Sequence, residues 1–453
     1  MKKLLFPLLA FTAALLALST RATTQGSARQ SSSPLLLEQA QVSSSAASVT
    51  LAWYDLTLNL VRHTATYSPP VASRTFGYMG VTLFEIAAAR GQKLRSLTGQ
   101  LNGFAGVPQP VAGLTYDDGV IVQGALANTV AQLFSNTGPT GLRALASVTS
   151  KLEARVSKGL PEDVVKRSLE YGQSVSAAVL NWAATDGGAK IDNIGFPLTY
   201  PKASSPESWV PTAALGMQQT PLLPTWGDNR PFAMKRGDAC SLPAPPAYST
   251  APDSLFYKEA LEVYTVSKAM TPEQRAITVF WDDSAMLSMT PPGHWVGILT
   301  QIFTDSPTTF ERMAEGYARL GMAVADAFIG CWNAKFEFNL LRPQTYIQRV
   351  IDPKWTASLI TPPFPEYPSG HSTQSGAAAT VLTAFLGANY AFTDRTHDED
   401  GLEARGYKSF WDAANEAGIS RLYGGIHFRS AIDRGLQQGR CVGAKINALQ
   451  LYR

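Results

Sequence analysis

Lys335 followed by Arg342-Pro343, then Pro365-Glu366-Tyr367-Pro368-Ser369-Gly370-His371-Ser372, then Ser420-Arg421-Leu422-Tyr423-Gly424-Gly425-Ile426-His427: these three segments fall in order near the end of a chain of 453 residues. Together they supply one Lys, two Arg, two His and a Ser beside a Gly. Two guanidiniums and an ammonium can neutralise a multiply charged anion through directional, charge-assisted hydrogen bonds. Two imidazoles leave one group to bond a central atom and one to move protons. The set is a kit for holding a tetrahedral oxyanion. The chain has five His, and two of them fall on these segments. His63, His294 and His397 are read as structural or solvated.

The local chemistry of each segment supports the grouping. The Pro-bounded loop runs into an Ala-rich helix (Ala377 to Ala379, then Val381, Leu382 and Phe385). Backbone N–H groups at a helix start favour an anion, and Gly370 lets the backbone approach it closely. Ser369 is the natural hydroxyl donor and N-cap, with His371 on the first turn. Trp332-Asn333-Ala334-Lys335 is expected to end a long helix, Pro307 to Cys331, capped by Ser306. Lys335 and Arg342 are seven positions apart, about two helical turns, so both can face one pocket. Gly424 and Gly425 permit either a break or tight packing between Arg421 and His427.

The spacings K-x6-R-P, P-S-G-H and S-R-x5-H resemble the superfamily that joins vanadium-dependent haloperoxidases to type-2 phosphatidic acid phosphatases, from roughly Phe280 to the C-terminus. The resemblance assigns Lys335, Arg342, Ser369, Gly370 and Arg421 to oxyanion binding. It makes His427 the ligand of the central atom, His371 the acid–base group, and Lys335 the residue that polarises bound peroxide. The implied cofactor is vanadate. The phosphatase signature places an Asp four positions after the ligating His, but this chain has Ala431 there and its next Asp at Asp433. Either Asp433 does that job from a shifted position or an acid elsewhere does. Asp282 or Asp283 in Phe280-Trp281-Asp282-Asp283 are candidates, because the resemblance to haloperoxidases implies an acid after a similar Phe-Trp pair that supports an active-site Arg.

Trp332 and Phe364 match the halide-side aromatics of haloperoxidases. Thr290-Pro291-Pro292-Gly293-His294-Trp295, and Ser68-Pro69-Pro70 with Ser73-Arg74, also look like bacterial members. The implied activity is oxidation of halide, iodide or bromide first, by hydrogen peroxide to hypohalous acid, with an organic acceptor and a homo-oligomer left open. The alternatives are phosphoester hydrolysis through a phosphohistidine and a non-catalytic oxyanion-binding protein.

The rest of the chain bounds this reading. Lys2 and Lys3, an apolar run from Leu4 to Leu18 and small residues near Ser19 to Ala22 read as an export signal, 1–22. The run is shorter than the roughly 20 residues a span needs, so stable membrane insertion is not expected. Removing Lys2, Lys3 and Arg21 takes the formal charge from +3 to 0. Nothing then points to nucleic acid or an anionic membrane. Cys240, Cys331 and Cys441 allow one intramolecular disulfide in an oxidising compartment, its pairing open.

Residues 23–45 read as a flexible linker and 46–270 as a helical domain with a Pro-rich loop at 196–254, placed at the active-site mouth or as a crossover. Residues 271–453 read as the catalytic helical domain. Pro161 opens a helix with Val165, Leu169, Gly172, Val175 and Val179 on one face. The last helix carries Gly435, Gly439 and Gly443 four apart, inviting close helix approach. The expected fold is all-α: two packed helical bundles, the C-terminal one carrying the site.

Overall fold

A computed structural model describes residues 34–453 apart from 202 and 214–216. The expected export signal and residues 23–33 of the expected linker lie outside the described residues. The remainder of that linker is helical: α1 runs Pro34–His63, because Leu35, Leu36, Leu37, Glu38, Gln39 and Ala40 are strong helix formers that outweigh the Ser run behind them. In the first half α2 (Pro69–Arg90), α3 (Asp118–Leu133), α4 (Pro139–Ser157) and α5 (Glu162–Ala183) follow. The Pro-rich segment comes next, and its described residues form only short 3₁₀ turns. The second half contains α6 (Leu255–Lys268), α7 (Pro272–Phe280), α8 (Thr290–Asp305), α9 (Phe310–Phe338), α10 (Pro343–Val350), α11 (Gly370–Leu386), α12 (Phe410–Tyr423) and α13 (Arg429–Asn447). The fold is all-α, with one small departure from expectation. An antiparallel hairpin of β1 (Phe392–Asp394) and β2 (Arg405–Tyr407) pairs Phe392 with Tyr407 between α11 and α12.

Helices α2 and α9 pack extensively on each other. Both are apolar around most of their circumference, which a helix shows when neighbours cover it on all sides. Val71, Phe76, Met79, Leu83 and Ile86 of α2 are buried against Met313, Leu320, Val324 and Phe328 of α9 in one continuous core. Helix α9 does not start at Pro307. Thr309 caps it by accepting from the Arg312 N–H, while Ser306 closes α8 by donating its N–H to the Ile302 carbonyl. At its other end α9 continues past Lys335 and stops at Asn339, whose φ of 45° is left-handed. With 29 residues it is about 44 Å long, and it carries Lys335 on its last turn.

Helices α11 and α13 cross closely, as the Gly spacing indicated. A Cβ on Gly439 would sit 2.1 Å from the Thr373 carbonyl oxygen, so any side chain there pushes the helices apart. The crossing brings the start of α11 onto the start of α13, where the Ser369 N–H donates to the Ala431 carbonyl at 3.0 Å. A second core of Phe256, Val263, Tyr346, Trp355, Tyr367 and Phe428 lies behind this junction. It recruits α6, which packs on α10 and α12 although it precedes the boundary expected at residue 270. A Cys240–Cys441 disulfide ties the Pro-rich segment to α13, and Cys331 stays a buried thiol. Among the described residues no helix is long and apolar enough to cross a membrane.

Candidate active site

Five helix ends converge on one cavity of about 360 Å³. Lys335 lies in the last turn of α9, Arg342 precedes α10, Ser369 caps α11 with His371 on its first turn, Arg421 lies in the last turn of α12, and His427 precedes α13. Gly424 and Gly425 turn the chain between the last two, Gly425 at a φ of 80°. Trp332, Phe364, Gly370, His371, Arg421 and His427 are among the residues that line the cavity. Lys335, Arg342 and Ser369 are fully buried behind it.

The two arginines are buried with donors left over. Arg342 donates from Nε to the Phe364 carbonyl at 2.9 Å and from Nη1 to the Ile426 carbonyl at 3.0 Å; the same Nη1 is 3.2 Å from His427 Nε2. Its Nη2 has no hydrogen-bond partner among the described residues, and neither has Nε of Arg421. Arg421 donates to the Trp281 carbonyl, and its nearest acid oxygen, on Asp282, is 4.0 Å away. Burial pulls both guanidiniums down to about 10. Asp282 is thus at the limit of an ion pair with Arg421.

Lys335 departs from its expected position as a donor into the cage. Its ammonium donates to the carbonyls of Pro365, Glu366 and Pro368 at 3.0, 2.9 and 2.5 Å. Those three bonds use all its protons, so Lys335 shapes the loop ahead of Ser369 and supplies charge from behind it. Burial first, and then Arg342, bring it down to about 8.

The acid behind His427 is Glu366, not Asp433. Glu366 Oε1 lies 2.8 Å from His427 Nδ1 and also accepts from the Phe428 N–H at 2.9 Å. This partner places the proton on Nδ1 and leaves the Nε2 lone pair facing Arg342 Nη1, 3.2 Å away. Burial raises the Glu366 carboxyl to about 8 against the pull of Arg342. Asp433 sits one helical turn into α13 beside Arg429 and Arg434, lining a separate pocket. The shift from Ala431 to Asp433 rotates the carboxylate by about 200° around the helix, away from the imidazole. Glu366 stood inside the quoted Pro-bounded loop, but nothing in its spacing distinguished it from a solvated loop acid.

His371 and His427 are both held well below the usual imidazole range, first by burial and then by neighbouring cations, Arg421 for His371 and Arg342 for His427. Both are therefore neutral. His371 Nε2 has no hydrogen-bond partner among the described residues and lies 3.7 Å from Asp283 Oδ2. Asp283 does not pair with a site Arg. It belongs to a buried cluster with His294 and His397, neither of which is solvated. Burial opposes the ionised Asp283, yet the two imidazoles hold its carboxyl well below the usual range. His294, between Asp283 and Asp394, is pushed up to about 10 despite its burial. His63 stays local, bonded to the Asn59 carbonyl.

Trp332 and Phe364 stand together as expected, ring centroids 4.9 Å apart, and Phe328 adds a third ring 5.5 Å from Trp332. The Pro-rich segment reaches this wall. Trp332 Nε1 donates to the Leu222 carbonyl at 3.2 Å, and Phe196 and Leu222 line the cavity.

A family model described as the VCPO second helical-bundle domain matches residues 316–452. The vanadium chloroperoxidase of Curvularia inaequalis is 25% identical over 250 residues, 40% of this chain and 41% of that protein. The vanadium-dependent bromoperoxidase of Ascophyllum nodosum is 34% identical over 94 residues, 18% of this chain and 17% of that protein. The matched stretches thus span less than half of either curated relative. The crystal structure of a bacterial vanadium-dependent iodoperoxidase superposes with a TM-score of 0.82 at 36% identity, covering 89% of this chain and 97% of that one. A holo bacterial vanadium-dependent chloroperoxidase shares the fold at a TM-score of 0.64 and 15% identity, covering 84% of this chain and 92% of that one.

Proposed function

Because the chain belongs to the vanadium-dependent haloperoxidase family, we propose that it binds vanadate at His427 and uses it to oxidise halide with hydrogen peroxide to hypohalous acid. The observation that carries the reading is the pair of buried guanidiniums with unpartnered donors, Arg342 Nη2 and Arg421 Nε, beside an imidazole lone pair. A buried cation without an acid is costly unless an anion completes it. Such a donor-rich cage fits vanadate, which Arg342, Arg421, Ser369, the backbone at Gly370 and His427 would hold. When bound, vanadate supplies a Lewis acid that activates peroxide oxygen toward halide.

The chain's own residues do the remaining work. Glu366 holds the His427 ring so that Nε2 faces the cage. Arg342 and Arg421 neutralise the oxyanion without reorganising, which is where preorganised donors are most effective. His371, kept neutral by burial, accepts a proton from hydrogen peroxide. Lys335 contributes charge through the loop it organises. Phe328, Trp332 and Phe364 make the halide side apolar, which favours large, weakly hydrated ions, iodide and then bromide. The signal-type N-terminus, together with the disulfide, supports export to the periplasm or beyond. Self-association and an organic acceptor remain within the same proposal.

The test is the purified apo-chain assayed with and without vanadate for iodide oxidation and for phosphomonoester hydrolysis. Iodide oxidation should require vanadate, phosphate should compete during reconstitution, and His427→Ala and His371→Ala should reduce turnover to background. Full vanadate-dependent turnover in His427→Ala would sink the ligand assignment. Phosphohistidine formation without halide oxidation would carry the chain to the phosphatase side of the superfamily.

A further inference from the structure

Asp283, His294 and His397 do not belong to the vanadate cage, and their arrangement has its own chemistry. We propose that these three residues form a second site, for a divalent transition-metal cation of the zinc class. His294 Nδ1 is 3.0 Å from both Asp283 oxygens, and His397 Nε2 is 3.5 Å from Asp283 Oδ1. One ligand atom from each residue lies within 4.8 Å of the others. A tetrahedron with metal–ligand bonds of about 2.0–2.1 Å spaces its ligand atoms roughly 3.3–3.4 Å apart, so the convergence has the right size. Two imidazoles and a carboxylate suit zinc better than calcium or magnesium.

The groups behind the trio are arranged as metal-site histidines require. A ligating imidazole gives its other nitrogen to a carboxylate, which fixes tautomer and aim. His294 Nε2 lies 2.9 Å from Asp394 Oδ2, and His397 Nδ1 lies 2.9 Å from Asp400 Oδ2. Asp394 is itself held by the Thr396 N–H and hydroxyl at 3.0 and 2.7 Å. That leaves His397 Nε2, on a side chain 5% exposed, aimed at Asp283 without a hydrogen-bond partner among the described residues. A shared cation uses that nitrogen; a hydrogen-bonded ion pair leaves it idle. Charge also closes, because a dication and Arg62, which pairs with Asp400, balance Asp283, Asp394 and Asp400 with both imidazoles neutral. Two imidazoliums would balance it equally, so the experiment must separate these states. Trp281 stacks on His294 at 4.3 Å and Phe280 stands 5.2 Å from His397, walling the site.

Elemental analysis of the purified full chain, before and after chelation and reloading with Zn²⁺ or Co²⁺, tests the site without reference to halide oxidation. The expected result is stoichiometric uptake, with the visible ligand-field bands of a tetrahedral nitrogen/oxygen site for Co²⁺. His427→Ala should abolish vanadate retention and keep this cation, which separates the two sites. Asp400→Asn removes the charge behind His397, and with it the partner of Arg62, and should weaken Zn²⁺ affinity by about 10–100-fold at unchanged helical content, with His397→Gln weaker still. A folded wild-type chain that takes up no metal, with His294 and His397 both imidazolium by ¹⁵N NMR, would establish an ion-pair cluster instead. Unchanged affinity in Asp400→Asn and His397→Gln would equally overturn the site.

Discussion

Two buried clusters built around arginine make opposite use of the same side chain. In the first half, Arg74 pairs with Asp186 at 2.6 Å, donates to the Ala183 carbonyl at 3.0 Å and lies 3.5 Å from Asp192. The Tyr78 hydroxyl donates to Asp186 as well, at 2.8 Å. Burial works against the Arg74 charge, and Asp186 more than offsets it. Arg342 and Arg421 are equally buried, yet no acid offsets their desolvation in full and each keeps an unpartnered donor. A guanidinium whose counter-ion is in the chain is part of the fold. One without is waiting for a ligand, and the stability it costs is recovered when the ligand arrives.

The contrast breaks most visibly at Arg74. Arg74→Ala strips Asp186 of its cation in a buried setting, so it should cost about 3–5 kcal/mol in urea unfolding. Arg342→Ala should cost far less, because it removes a desolvated charge that no ion pair offsets, against the loss of two hydrogen bonds to carbonyls. If Arg342→Ala destabilises the apo-fold as much as Arg74→Ala, the two clusters are of one kind and the cage reading weakens.

The reverse ordering should hold for binding. Arg342→Ala and Arg421→Ala each remove a charged hydrogen bond worth roughly 1.5–3 kcal/mol, which is about a tenfold or greater loss in vanadate affinity. Helical content should not change, and Arg74→Ala, where it remains folded, should bind as wild type. Calorimetry giving wild-type affinity for either cage variant would remove that Arg from the site.

The same contrast explains what the sequence could and could not reveal. Arg342, Ser369, His371, Arg421 and His427 were legible because a charged oxyanion demands particular residue types at helix ends, and helix ends are written in Pro, Ser and Gly. The close α11–α13 crossing was legible from Gly435, Gly439 and Gly443. The start of α9 was not, because Ser306 and Thr309 both cap well and only the end of α8 decides between them. Glu366 was hidden because its role depends on the fold bringing His427 across the sequence to it. Asp283 is harder still: adjacent to Asp282 in sequence, it turns the other way in space, toward two histidines 11 and 114 positions downstream.

The smallest effect concerns proton occupancy of the cage, and its sign is fixed. Lys335 is depressed to about 8, and Glu366 is raised to about 8. As pH rises through that value Lys335 loses a positive charge and Glu366 gains a negative one, so both changes oppose an oxyanion. Bound vanadate favours the protonated form of each, and linkage then requires affinity to fall as the free site loses those protons. The total loss from each group is set by how far the bound oxyanion raises its pKa, one pKa unit being a factor of ten, superimposed on the titration of vanadate itself, which phosphate as a comparison ligand would separate. Below pH 8 affinity should be nearly flat, because His371 and His427 are neutral and no other cage group changes charge there. Glu366→Gln removes one of the two titrations, so its affinity should fall more gently above pH 8 than wild type. An affinity that rises with pH, or a Glu366→Gln profile parallel to wild type, would show that the electrostatics of the cage are governed from outside Lys335 and Glu366.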